Sequence, residues 1–203
     1  MSPTNEASTA APKPPVTIAD PGPLGLAAFA LTTFVLSVYN AGILPAEGKP
    51  IVFGLALMYG GLAQFAAGMW EFRTGNTFGA VAFTSFGAFW LSFWAFVQFH
   101  AAKIPADQVG HAVGLFLVAW GLFTLYMTVA ALRTSTAVLT VFVLLTITFF
   151  LLGAGDWTAT ASVTHVGGYV GLLTAFAAWY ASMAAVVNAT FKKVVLPVGP
   201  RTA

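Results

Sequence analysis

A chain of 203 residues with 59% hydrophobic and 7% charged side chains, and a mean hydropathy of +0.86, lies far from the soluble norm of about one quarter charged. Its eight basic and six acidic residues, a net charge of +2, are too few to point to a nucleic-acid partner. With no cysteine, thiolate metal sites, disulfides and thiol catalysis are excluded.

Residues 1–20, rich in Pro, Ala, Thr and Ser, have no apolar core and read as a disordered cytosolic leader. Six apolar stretches follow, near residues 23–44, 51–70, 77–99, 111–132, 136–154 and 165–190, and none contains Asp, Glu, Lys or Arg. Each is about 20 residues long, enough to cross a bilayer. A charge at the centre of such a span costs roughly 2.5 to 3.5 kcal/mol on insertion scales, which explains its exclusion. The expected fold is therefore all-α, a polytopic membrane protein with six transmembrane helices over residues 21–191 and a cytosolic tail over 192–203. The lipid bilayer is its main partner, and any activity must reside within the helices. Counting connections puts Lys13, Arg73, Arg133, Lys192, Lys193 and Arg201 on one face and Lys49 and Lys103 on the other. That asymmetry places both termini in the cytosol of a cell-membrane protein.

The first stretch opens with a start signal, since Asp20 can cap free N–H groups and Pro21 and Pro23 fall where the helix lacks donors anyway. Asn40 lies near its end. Gln64 sits in the second stretch, Thr84 and Ser85 in the third and Asn188 in the sixth. These neutral polar groups are the candidate lining of a pathway. A Ser or Thr can bond a carbonyl one turn back, but an amide at membrane depth must find partners, so Gln64 stands out. Glu71 and Arg73 close the second stretch before the Gly75-Asn76 turn and read first as a cap or ion pair at the surface, or as part of a vestibule. His165, at the start of the sixth stretch, is the most plausible proton-responsive group, with Glu71 as a second candidate. The glycine pairs Gly75/Gly79, Gly110/Gly114 and Gly167/Gly171 read as helix-packing positions. No GxSxG, HExxH or P-loop motif occurs, and His100, His111 and His165 are not spaced as a shared metal site. Neither an enzyme nor a cofactor is expected.

The run DPGPLGL from Asp20 to Leu26, containing Asp20, Pro21, Pro23, Leu24 and Gly25, resembles the NPAPLGL signature opening the first helix of the acetate uptake (succinate/acetate) transporter family. YGGLAQFAAGMWE from Tyr59 to Glu71 and GNTFGAVAFTSFGAFW from Gly75 to Trp90 are similar to that family's next blocks, and the VLPVG tail agrees. The resemblance implies a urea-channel-like bundle, assembled as a homohexamer, with a pore for acetate, succinate or other small carboxylates in each subunit. It also implies a constriction made by Phe29, position 86 and Leu145. Two departures stand out. Phe86 replaces the family's Tyr and removes a hydroxyl, while Asp20 replaces an Asn and adds a negative charge near the cytosolic mouth. The apolar constriction would equally suit a channel for neutral solutes such as urea, ammonia or water.

Overall fold

The structure, a computed structural model, describes residues 18–201, so most of the expected leader, including Lys13, lies outside it. Among the described residues six helices are long and apolar enough to span a membrane: α1 (Gly22–Asn40), α2 (Ala46–Thr74), α3 (Thr77–Lys103), α4 (Ala106–Ala131), α5 (Thr136–Trp157) and α6 (Ala161–Phe191). The protein is a multi-pass membrane protein of all-α class. Large apolar side chains such as Leu115, Leu122, Leu125 and Val129 of α4 face outward, as a lipid-facing or subunit-facing surface requires.

Several helices run past the apolar stretches that announce them. Hydropathy marks only the hydrocarbon slab, whereas hydrogen bonding carries a helix on into the interfacial layer, where Asp107 in the first turn of α4 and Asp156 near the end of α5 are tolerated. The opposite holds for α1, which ends at Asn40 rather than near 44, because Gly42 takes a φ of +70° that no helix continues. The α2–α3 turn is closed by Gly75 in the left-handed conformation and by Asn76, whose side chain accepts from the Gly79 N–H at 3.1 Å.

α1 packs on α6, α4 on α5, α5 on α6 and α2 on α3. Small residues make these approaches close: a Cβ on Gly168 of α6 would collide with the Ala41 backbone, and one on Gly114 of α4 would stand 2.9 Å from the Gly153 carbonyl of α5. Inside the bundle the threonines bond back to carbonyls one turn earlier, as Thr146 does to Phe142 at 2.8 Å and Thr174 to Val170 at 2.9 Å. Two pairs also form across helices, Thr128 with Thr146 at 3.0 Å and Thr148 with Thr174 at 3.2 Å.

The tail returns to the bundle. Asn188 donates to the Leu196 carbonyl at 2.8 Å and accepts from the Val195 and Leu196 N–H groups at 2.7 and 2.9 Å. Tyr180 donates to the Pro197 carbonyl at 2.7 Å, and the N–H groups of Thr136 and Ala137 donate to Gly199 and Val198. The α4–α5 connection and the tail therefore share one end of the molecule.

Candidate transport pathway

Three cavities follow one another between α1, α3 and α5. The first, about 270 Å3, is lined by Pro23 and Leu26 of α1, Phe78 to Phe83 of α3 and Ser135 to Phe142 of α5. The second, about 20 Å3, takes the next turns: Leu26 and Phe29, then Ala82, Phe83 and Phe86, and Val141, Phe142 and Leu145. The third, about 60 Å3, lies further along, against Leu36 and Asn40, Phe89 and Phe93, and Leu152 and Asp156. The odd-numbered helices run in the same direction, so these steps form a series along the bundle. At about 1.5 Å per helical residue it extends for some 25 Å.

The middle cavity is the narrow point. Phe29, Phe86 and Leu145, on three different helices, line it together with Gln64 of α2. Phe86 is held on several sides, its ring centroid 5.9 Å from Phe29, 6.0 Å from Phe142, 5.4 Å from Phe123 and 6.4 Å from Phe149. Such contacts add about 0.5 to 1.5 kcal/mol per pair to area burial and restrict the ring. A cavity must offer roughly 10 to 15 Å3 to admit one water, so this constriction has room for a water and not for a four-heavy-atom carboxylate. Passage requires these side chains to move.

Gln64 is 1% exposed, and its amide oxygen has no hydrogen-bond partner among the described residues. It follows directly on a π-helical turn over Met58–Ala63, where Gly60 and Gly61 are buried. Such turns shift the phase of the helix after them and recur at functional sites.

At the first cavity one of the two sequence readings of Glu71, the surface cap or ion pair, needs correction, while the other, part of a vestibule, agrees with its place in the cavity lining. Glu71 is 2% exposed, neither a surface cap nor a surface ion pair. Thr74 donates to its Oε2 at 3.1 Å, while its Oε1 lies 2.6 Å from the point where a Cβ on Gly79 would stand, in the first turn of α3. The same Oε1 lies 3.4 Å from the corresponding point on Gly22, at the start of α1. The carboxylate thus occupies the meeting point of two helix N-termini, whose partial positive charge and free N–H groups stabilise an anion. Asp20 lines the same cavity and accepts from the Gly22 N–H at 2.8 Å, in keeping with its reading as a start signal. Around this end Pro21 sits just ahead of α1, Pro23 lies in its first turn, Leu24 is exposed and Gly25 packs against the Phe83 ring.

The remaining sequence candidates separate. Asn40 lines the third cavity with Lys49, Asp156 and Thr164. Thr84 faces Gly68 at the α2–α3 contact, its hydroxyl unpaired, and neither it nor Ser85 lines any of the three cavities. Asn188 lines none of the three cavities, and both ends of its amide are committed to the tail. His165 is exposed near the start of α6, its Nε2 2.9 Å from the point a Cβ on Gly42 would occupy, and it does not line the third cavity. Sequence reasoning missed Lys49, Asp156 and the tail residue Val198, which helps wall the first cavity. An acidic residue at the very end of an otherwise apolar α5 was the one available signal for Asp156.

An uncharged narrow point inside a bundle of six membrane-spanning helices, flanked by cavities that carry charged and polar groups, defines the class as a membrane channel or transporter. The chain belongs to the GPR1/FUN34/yaaH family, whose profile matches residues 3–201. It is 37% identical over 182 residues to the succinate-acetate/proton symporter SatP of Escherichia coli, covering 90% of this chain and 96% of that one. The structure of the bacterial acetate channel SatP superposes with a TM-score of 0.84 at 37% identity, over 90% of this chain and all of that one. A yeast relative, ammonia transport outward protein 2 of Saccharomyces cerevisiae, is 42% identical over 183 residues, and this chain spans 65% of its length.

Proposed function

We propose that the protein carries acetate and other small carboxylates, succinate among them, across the cell membrane through a pathway within each subunit. The observation that carries this reading is the convergence of Phe29, Phe86, Leu145 and Gln64 on one narrow cavity in line with two wider ones. The SatP relatives, named for acetate and succinate, support the substrate class. The gate is the apolar trio, Gln64 and Asn40 supply polar contacts along the route, and transport is channel-like or proton-coupled. Both termini face the cytosol, by the distribution of Lys and Arg, and the assembly is a homohexamer. The cavity lined by Asp20 and Glu71 is then the inner vestibule and the one lined by Lys49 and Asp156 the outer.

Radiolabelled acetate uptake into proteoliposomes, with and without an inward proton gradient and with empty liposomes subtracted, tests the proposal. Accumulation only with the gradient means coupled symport; simple equilibration means a channel. A second reading, a pathway for neutral solutes such as ammonia, urea or water, draws on the uncharged constriction and on the yeast relative's name. It predicts urea or ammonia flux with no protein-dependent acetate uptake.

A further inference from the structure

We propose that carboxylic acids cross the constriction in their undissociated form, and that the Gln64 amide is the group that recognises them there. This inference rests on the transport reading above and specifies the species transported.

The constriction contains eight apolar residues and one polar one. Among the described residues no charged side chain lines it; the nearest lining charges are Asp20 and Glu71 in the inner vestibule and Lys49 and Asp156 in the outer. A bare carboxylate entering such a cavity would exchange its hydration shell for aromatic and aliphatic carbon, the least favourable environment for a charge. Gln64 is buried, lines this cavity and leaves its amide oxygen unpaired. An orphaned acceptor at membrane depth calls for a donor that arrives with the substrate.

A primary amide carries N–H donors and a C=O acceptor on one edge. An undissociated acid presents the complement, a C=O acceptor and an O–H donor, so both bonds form together. A carboxylate has acceptors only; it takes an N–H and sets its charge against the amide oxygen. The amide therefore discriminates by protonation state. The proton is taken from solution by the carboxylate at one vestibule, crosses on the acid's own oxygen and returns to solution at the other, so one proton moves with each carboxyl and no net charge crosses. No side-chain proton relay is required through the constriction.

The test uses the full-length protein in liposomes, comparing wild type with Gln64→Met, which keeps the length and removes both hydrogen-bonding functions. Three probes are used: acetate; acetamide, neutral with the same kind of donor and acceptor edge; and methanesulfonate, a permanent anion. With total acetate fixed, protein-dependent flux is expected to rise about tenfold for each unit fall in pH from 8 to 6, following the undissociated fraction of an acid that titrates near a glutamate side chain, about 4.3. A potassium diffusion potential of either sign should leave it unchanged. Acetamide should pass and methanesulfonate should not, and Gln64→Met should lower acetate and acetamide flux at least tenfold. Potential-driven acetate accumulation, passage of methanesulfonate, or wild-type flux in a correctly folded Gln64→Met would overturn the inference while leaving carboxylate transport intact. Should Gln64→Met misfold, the wild-type potential and pH measurements decide. Absence of acetate flux at every pH removes the transport reading and this inference with it.

Discussion

In the proposed orientation the inner end holds a cavity of about 270 Å3 walled by helix termini, a turn and the returning tail, and its charged groups are the carboxylates of Asp20 and Glu71. At the outer end, a cavity of about 60 Å3 sits between helix flanks and sets Lys49 opposite Asp156. The inner charges are bonded locally, Asp20 to Gly22 and Glu71 to Thr74, at the start of α1 and between α2 and α3. They hold helix ends in place as much as they face a solute. The other cavity carries one charge of each sign together with Asn40, and under the proposed function Lys49 is the group that attracts a carboxylate there. Under the proposed function charge thus has a fixing role at one end and a recruiting role at the other, and selection falls to the uncharged segment between.

The comparison breaks most visibly at that segment. Leu145→Ala should widen the constriction and raise uptake of butyrate relative to acetate by about tenfold or more, since one methylene in a fitted apolar site is worth some 10- to 200-fold; competition between labelled acids measures it. An unchanged ratio would remove Leu145 from the gate. If Glu71 fixes the inner helix ends, Glu71→Ala should cost about 2 kcal/mol by stranding its donors, with Glu71→Gln recovering most of the loss. Thermal melting in detergent reads both, and equal melting of wild type and Glu71→Ala would return the residue to a merely electrostatic role.

Smaller effects sharpen the contrast. Asn188→Ala loses three hydrogen bonds to the tail and should cost about 1 kcal/mol, while speeding proteolysis around Lys192 and Lys193. Acetate flux at saturation should change little, because Asn188 lines none of the three cavities. Lys49→Met should raise the KM for acetate about two- to threefold at low ionic strength. The difference should vanish near 0.5 M salt, where the screening length falls to a few ångströms. A KM effect that persisted in salt would mean that Lys49 binds the substrate directly.

The legibility of the site follows the kind of force involved. Asp20 declared itself because helix capping is local, and the six spans because a bilayer rejects charge over a fixed thickness. Gln64 was conspicuous because an amide at that depth is costly alone. The surface reading of Glu71 failed, and only its vestibule reading agrees with the cavity, because its burial is created by two helix N-termini distant in sequence, Gly22 and the Asn76–Gly79 turn, which meet only when α1 lies against α2 and α3. Asn188 looked like pathway lining for the same reason: the tail that satisfies it lies beyond its own helix. Thr84 and Ser85 adjoin Phe86 in sequence, yet a step of about 100° per residue turns them away from the cavity that Phe86 lines.

By itself the sequence determined the membrane class, the number of spans, the start of α1 and, through its motifs, the family, because partition into lipid, helix capping and motif identity depend on residues near one another in the chain. Only the tertiary structure decided which polar groups face a common route, that Glu71 is buried, and that Lys49 and Asp156 share a vestibule. Those facts depend on how helices are rotated and paired, and in lipid that is set by close packing of small residues and by the few hydrogen bonds that cross between helices, with no hydrophobic drive between helices to reveal which face turns inward.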